Sequence, residues 1–194
     1  MKRLWPSDSL EEWRAALQSY EAVIAQQDSQ RLPEHDRWYR EDLPKTLLAR
    51  RPAHVTLPEL VQITEWKMAR GVWRARNLAL VRGNPADNVI ETSTKALASA
   101  PHPTAPIATL SELAGIGPAT ASAVMASAAP DEYPFLDDLV AAQVPSLGEV
   151  AYTPSYYARY STALRERADR LGHDWTSTLV ERALWANSGG KIAK

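Results

Sequence analysis

The chain has no cysteine among its 194 residues, which excludes disulfides and thiolate metal sites. Its four histidines (His35, His54, His102 and His173) are scattered, so a histidine metal site has no support in the spacing. No run approaches 18 apolar residues, and no membrane-spanning helix is expected. The first residues, MKRLWPSDSLEEW, carry two basic side chains but no apolar core behind them. They do not read as a secretory signal, and an intracellular location is expected, nuclear in a eukaryote and cytoplasmic otherwise. Positive charge is also lacking, with a net charge of −1 and a pI of about 6.4. Dedicated DNA binders are usually basic, because neutralising phosphates supplies much of their affinity. Any nucleic-acid contact must therefore rest on a local patch. Strand-like alternation and internal repeats are absent as well, which points to an all-α fold. Nothing in the sequence asks for a cofactor, a metal or a membrane.

What is present suffices for one good core, and 45% hydrophobic content excludes wholesale disorder. Ser9 and Glu12 form a capping box before Leu10, Trp13, Leu17, Tyr20 and Ile24, which recur at helical spacing and predict an amphipathic helix over 10–27. Residues 28–55 are rich in charge and contain Pro33, Pro44 and Pro52. They predict short helices near 34–41 and 45–51 with kinked joins, anchored by Trp38 and Tyr39. Thr56 and Glu59 open a third segment that Gly71 stops. A further helix over 72–82 ends at Gly83, and Asn84 with Pro85 is expected to cap one running to about Ala98. The stretch SAPHPTAPIA reads as a loop. Toward the C-terminus, Thr153 and Pro154 begin a helix rich in tyrosine, a last helix covers 175–186, and SGGKIAK reads as a frayed tail.

The stretch 109–144, TLSELAGIGPATASAVMASAAPDEYPFLDDLVAAQV, organises the rest. Thr109 and Glu112 make a capping box for a short first helix. Gly115 and Gly117 place no side chain before an approaching ligand, and Pro118 suits the first position of a second helix, which Pro130 ends. A helix start preceded by glycines offers free amides and the positive end of a dipole, which suits a phosphate; a tight structural turn is the plain alternative. The pattern L-x-x-L-x-G-I-G-P-A-T-A, residues 110–121, resembles the helix-hairpin-helix of the HhH-GPD DNA glycosylase superfamily. The resemblance implies a helical glycosylase-like fold in which the hairpin grips a DNA phosphate through Gly115, Ile116, Gly117, Ala119 and Thr120. It also implies a functional aspartate further on. Asp137 and Asp138 stand 20 and 21 residues after Gly117. A gap-free count selects Asp137; the Gln143 and Val144 that follow resemble the alkyl-base branch and favour Asp138, with the other aspartate capping a helix.

Residues 66–81, WKMARGVWRARNLALV, together with Arg82, carry Lys67, Arg70, Arg74, Arg76 and Arg82 without an acidic residue, and Trp66 and Trp73 are interleaved. A solvated helix face is the plain reading. The alternative is a phosphate-binding footprint with aromatics to stack on bases, formed by Lys67, Arg70, Trp73, Arg74 and Arg76. Gly71 and the following R-x-R-N also resemble the family's G-x-x-x-x-K-A-x-x-I. Some glycosylases of this superfamily carry an iron–sulfur cluster, which a chain without cysteine does not. Ala119 stands where Schiff-base branches have lysine, and Pro118 where a basic residue is frequent, so a lysine-dependent lyase step is not expected from the hairpin. The resemblance covers 57–144 well, and residues 1–55 read as an N-terminal helical segment packed on a 56–194 helix-hairpin-helix glycosylase-like domain, the two forming one compact unit. Three readings follow, in order: a monofunctional DNA N-glycosylase; a non-catalytic relative that binds lesions or single strands; and a helical scaffold that docks a protein.

Overall fold

A computed structural model of the chain describes residues 3–191, and every regular element among them is helical. The fold is all-α. Its axis is the helix we label α9, Pro118–Ala128, in which the nine residues from Ala119 to Ser127 are all buried. Alanine, serine, threonine, valine and methionine leave short side chains on every face, so neighbours can approach from all sides.

Numbering in chain order, α1 (Leu10–Gln18) and α2 (Tyr20–Ala25) are the two halves of the expected first helix, broken at Ser19. The next stretch is helical from Leu32–Arg37 (α3) to Leu43–Ala49 (α4), through a wide π turn at Trp38–Asp42. Pro44 lacks the N–H that a regular helix would offer to the carbonyl of Arg40, and the Leu43 amide instead reaches back to Trp38. The turn points Tyr39 inward, where its hydroxyl donates to the Ala123 carbonyl at 2.6 Å and its ring stacks on Trp66.

Helix α5 (Leu57–Arg70) begins with a complete capping box between Thr56 and Glu59 and stops at Gly71. Residues 72–74 are an extended link rather than the start of a helix, and α6 covers Ala75–Arg82. Helix α7 (Ala86–Ala98) has Pro85 at its cap, with no side-chain cap bond. Asn84 turns the other way and holds Ala114 through its N–H and its C=O, both at 2.9 Å.

Two other expectations fail nearby. The proline-rich stretch contains a helix, α8 (Ala105–Leu110), with Pro106 in its first turn. Thr109 and Glu112 therefore sit at its end rather than its start, and the capping box does not form. The ring of His102 accepts from the Thr104 and Ala105 amides instead.

The short α10 (Asp138–Ala141), the long α11 (Pro154–Leu171) and α12 (Ser177–Asn187) complete the chain. Helix α9 packs against α8, α5 and α4, while α12 packs against α1, α2, α10 and α11. Tyr156, Tyr157 and Tyr160 are buried, as expected of core aromatics. The tail is ordered as far as it is described: Gln27 donates to the Gly189 carbonyl, and Lys191 reaches Asp138. The rest of the expected tail lies outside the described residues, none of whose helices is long and apolar enough to cross a membrane.

Candidate functional site

The turn between α8 and α9 is built by packing. Gly115 takes a left-handed backbone, φ 77°, and a Cβ there would lie 2.7 Å from the Asn77 carbonyl oxygen and 2.9 Å from Val81. The turn is thus pressed onto α6, with Asn84 clamping its other side. Ile116 is buried, and its amide is spent on the Leu113 carbonyl at 3.1 Å. It therefore offers no donor, contrary to the sequence expectation. Gly117 differs: its backbone is extended (φ −105°), and a Cβ there would touch nothing within 4 Å. Pro118 starts α9 without a side-chain cap. The amides of Ala119 and Thr120, in the first turn, have no carbonyl one turn earlier in the helix to receive them.

Gly117, Pro118, Ala119 and Thr120 line a cleft of about 360 Å³, within the range of small-molecule sites. Its lining brings together Lys67, Arg74, Gly115, Gly117, Ala119, Thr120, Asp137 and Asp138. Most of the residues singled out in the sequence thus meet at one place, from three separate stretches. Arg76 lies outside the lining, exposed on α6, and Trp73 is 55% exposed on the 72–74 link. Two expectations fail outright. Arg70 is 1% exposed and unavailable to a phosphate. Trp66 is fully buried, stacked on Tyr39 and donating to Asp36. Arg82 is engaged with Glu65 at 2.6 Å. The basic stretch reduces to Lys67, Arg74 and Arg76.

Asp137 caps α10, accepting from the Leu139 amide at 2.9 Å, and its other oxygen faces Arg70 at 3.4 Å. Arg70 is held more tightly by Glu181 at 2.6 Å, and Glu181 also meets Arg40, which faces Asp36. Two guanidiniums thus serve three buried carboxylates. Burial raises the pKa of Asp137 most. Arg70 opposes this, Glu181 and Asp138 add to it, and the carboxyl is pushed up to about 6. For Asp36, burial raises the pKa too, but Arg40, Arg70 and the hydrogen bonds from Trp66 and Tyr20 more than offset it. Asp138 is half exposed and paired with Lys191 at 3.3 Å.

Lys67 is half buried at the end of α5. Burial lowers its pKa first, Arg74 and Lys191 add to that, and the attraction of Asp137 and Asp138 only partly opposes it. Among the described residues no three His, Asp or Glu side chains converge in a way that could hold a metal ion.

The sequence reading missed Val72, Asn77, Phe135, Leu136, Tyr152 and Lys191, which also line the cleft. Phe135 and Leu136 adjoin the aspartates and were findable by proximity. Tyr152 and Lys191 arrive by tertiary folding and carried no local signal. No protein-family model matches the chain, and neither a curated protein nor a solved structure matches it.

Proposed function

We propose that the chain is a divergent HhH-GPD DNA glycosylase that releases a damaged base by monofunctional hydrolysis. In this reading the α9 amides and Arg74 hold a phosphate, the sugar enters the cleft and Asp138 lies beside C1′. The observation that carries it is that the first residues of α9, a helix start without a side-chain cap, line one cleft with Asp137, Asp138, Lys67 and Arg74. As the C1′–N bond lengthens, positive charge builds on the sugar, and a carboxylate already in place stabilises it. Water adds to C1′, its proton passing to Asp137, whose pKa of about 6 suits a base near neutral pH. That proton then leaves with the departing base. A flipped nucleotide would meet Tyr152 and Val72, both large, exposed and at the cleft.

One observation favours DNA binding without base release: the Asp137 oxygens are engaged by the Leu139 amide and Arg70, and Asp138 is paired with Lys191. The two readings part in an assay of oligonucleotides carrying one alkylated, deaminated or oxidised base each. The glycosylase reading expects release from at least one, reduced 100-fold or more in Asp138→Asn with DNA binding kept. Binding to all of them with no release from any would leave the non-catalytic reading in its place.

A further inference from the structure

Asp137 and Asp138 are neighbours in the cleft and are held in opposite ways. Asp137 faces Arg70, which is buried and fixed by Glu181. Asp138 is paired at 3.3 Å with Lys191, and the two side chains are 45% and 32% exposed. Lys191 arrives from the turn after α12 and lines the cleft with Lys67 and Arg74. That turn is specifically built. Gly189 and Gly190 take left-handed backbone in succession, φ 79° and 67°, which residues with a side chain rarely adopt. Their amides donate back to the Ala186 carbonyl at 2.9 Å and the Trp185 carbonyl at 3.3 Å. Gln27, buried just beyond α2, anchors the turn by donating to the Gly189 carbonyl at 3.3 Å. Gly190 is pressed against the same side chain, so that a Cβ there would lie 2.6 Å from the Gln27 amide nitrogen. The chain is thereby turned back at the end of α12, and Lys191 is delivered to Asp138.

We propose that residues 188–191 form a displaceable latch on the cleft: in the free chain Lys191 covers Asp138, and an entering DNA strand lifts it before the sugar reaches that carboxylate. This rests on the nucleic-acid reading of the cleft and adds its regulation. An ammonium on Asp138 neutralises the charge that a developing sugar cation needs, and it takes up cleft space. The pairing that argues against catalysis in the free chain is then the closed state of the latch. A partly exposed ion pair and one anchoring hydrogen bond are weak restraints, so the latch opens without disturbing the helices. Apparent affinity falls by the fraction of chains that are open, on the order of tenfold.

Duplex binding by the full chain tests this with two variants that act on the anchor and leave every charge in the cleft unchanged. Gly190→Val strains the turn and crowds Gln27; Gln27→Ala removes the donor to Gly189. Each should bind a short duplex oligonucleotide about tenfold more tightly than the parent, while the exposed Lys45→Ala binds as the parent does. In the parent, the heteronuclear NOE of the Gly189 and Gly190 amides should fall when duplex is added, because binding releases the turn. Amides as rigid with duplex as without it, or anchor variants that bind no more tightly than the parent, overturn the latch and leave the cleft reading standing. No DNA binding by the parent or by either variant overturns both.

Discussion

Gly115 and Gly117 stand two positions apart and are glycines for different reasons. Gly115 is demanded by the fold, through its positive φ and the Asn77 carbonyl 2.7 Å from any Cβ. Gly117 is demanded by nothing within 4 Å, so its bareness matters only to something arriving from outside. Gly115→Ala should therefore destabilise the chain, by about 1–3 kcal/mol from backbone strain alone, seen as a lower midpoint in urea. Gly117→Val should unfold at the parent's midpoint yet lose DNA binding tenfold or more. The sequence showed both glycines as a ligand-facing pair; separating them needed α6, which no local pattern places there. Asp137 supports a prediction about pH. Its pKa is raised from 3.8 to about 6 in the folded chain, so between those values the folded state binds more protons than the unfolded one. That contribution to stability is full below pH 4 and is lost as pH rises through 6, by roughly 3 kcal/mol. Asp137→Asn should remove this part of the dependence in urea titrations from pH 4 to 7.5. An unchanged slope would mean that Asp137 titrates normally.

Helix boundaries were legible where a side chain or proline acts on its own segment, and illegible where the partner is distant. The Thr56–Glu59 box, the Gly71 stop and Pro118 at the start of α9 are all local, and all hold. The Ser9 cap holds as well, although the helix it opens, Leu10–Gln18, ends about two and a half turns before the expected end at 27. Helix α8 was misread because its prolines suggested a loop. Proline in a first turn sacrifices no hydrogen bond, and the cap comes from His102, outside the usual capping residues. Asn84 fits the pattern of an N-cap so well that its role elsewhere had no sequence signal. Its side chain mimics a backbone, bonding both polar groups of Ala114, 30 residues away. Asn84→Ala should thus cost about 1–3 kcal/mol for the buried groups it leaves unpaired. Amide exchange at Ala114 should accelerate, while the start of α7 stays as protected as before.

At the scale of the molecule, a buried chain of charge ties distant helices to the site. Asp36 of α3, Arg40 of the π turn, Glu181 of α12, Arg70 of α5 and Asp137 follow one another in it. Arg70 and Glu181 are 111 positions apart, and the sequence reading placed Arg70 on the surface because a charge run is usually solvated. Buried ion pairs are weak evidence for stability, because desolvation offsets their attraction; here Arg70 and the Leu139 amide hold Asp137 at the head of α10. The all-α character followed from periodicity alone, and the gathering of hairpin and aspartates at one cleft needed the tertiary structure. With a net charge of −1, the proposed nucleic-acid reading rests its phosphate contacts on the small group Lys67, Arg74 and Arg76. Titration of the full chain with duplex DNA across a salt series measures this most directly. Three cations at about 0.9 each predict a slope of log K against log salt of roughly −2.7, falling by about 1 for Arg74→Gln. A flat salt series, or a slope untouched by Arg74→Gln, would contradict the assignment of the cleft to nucleic acid.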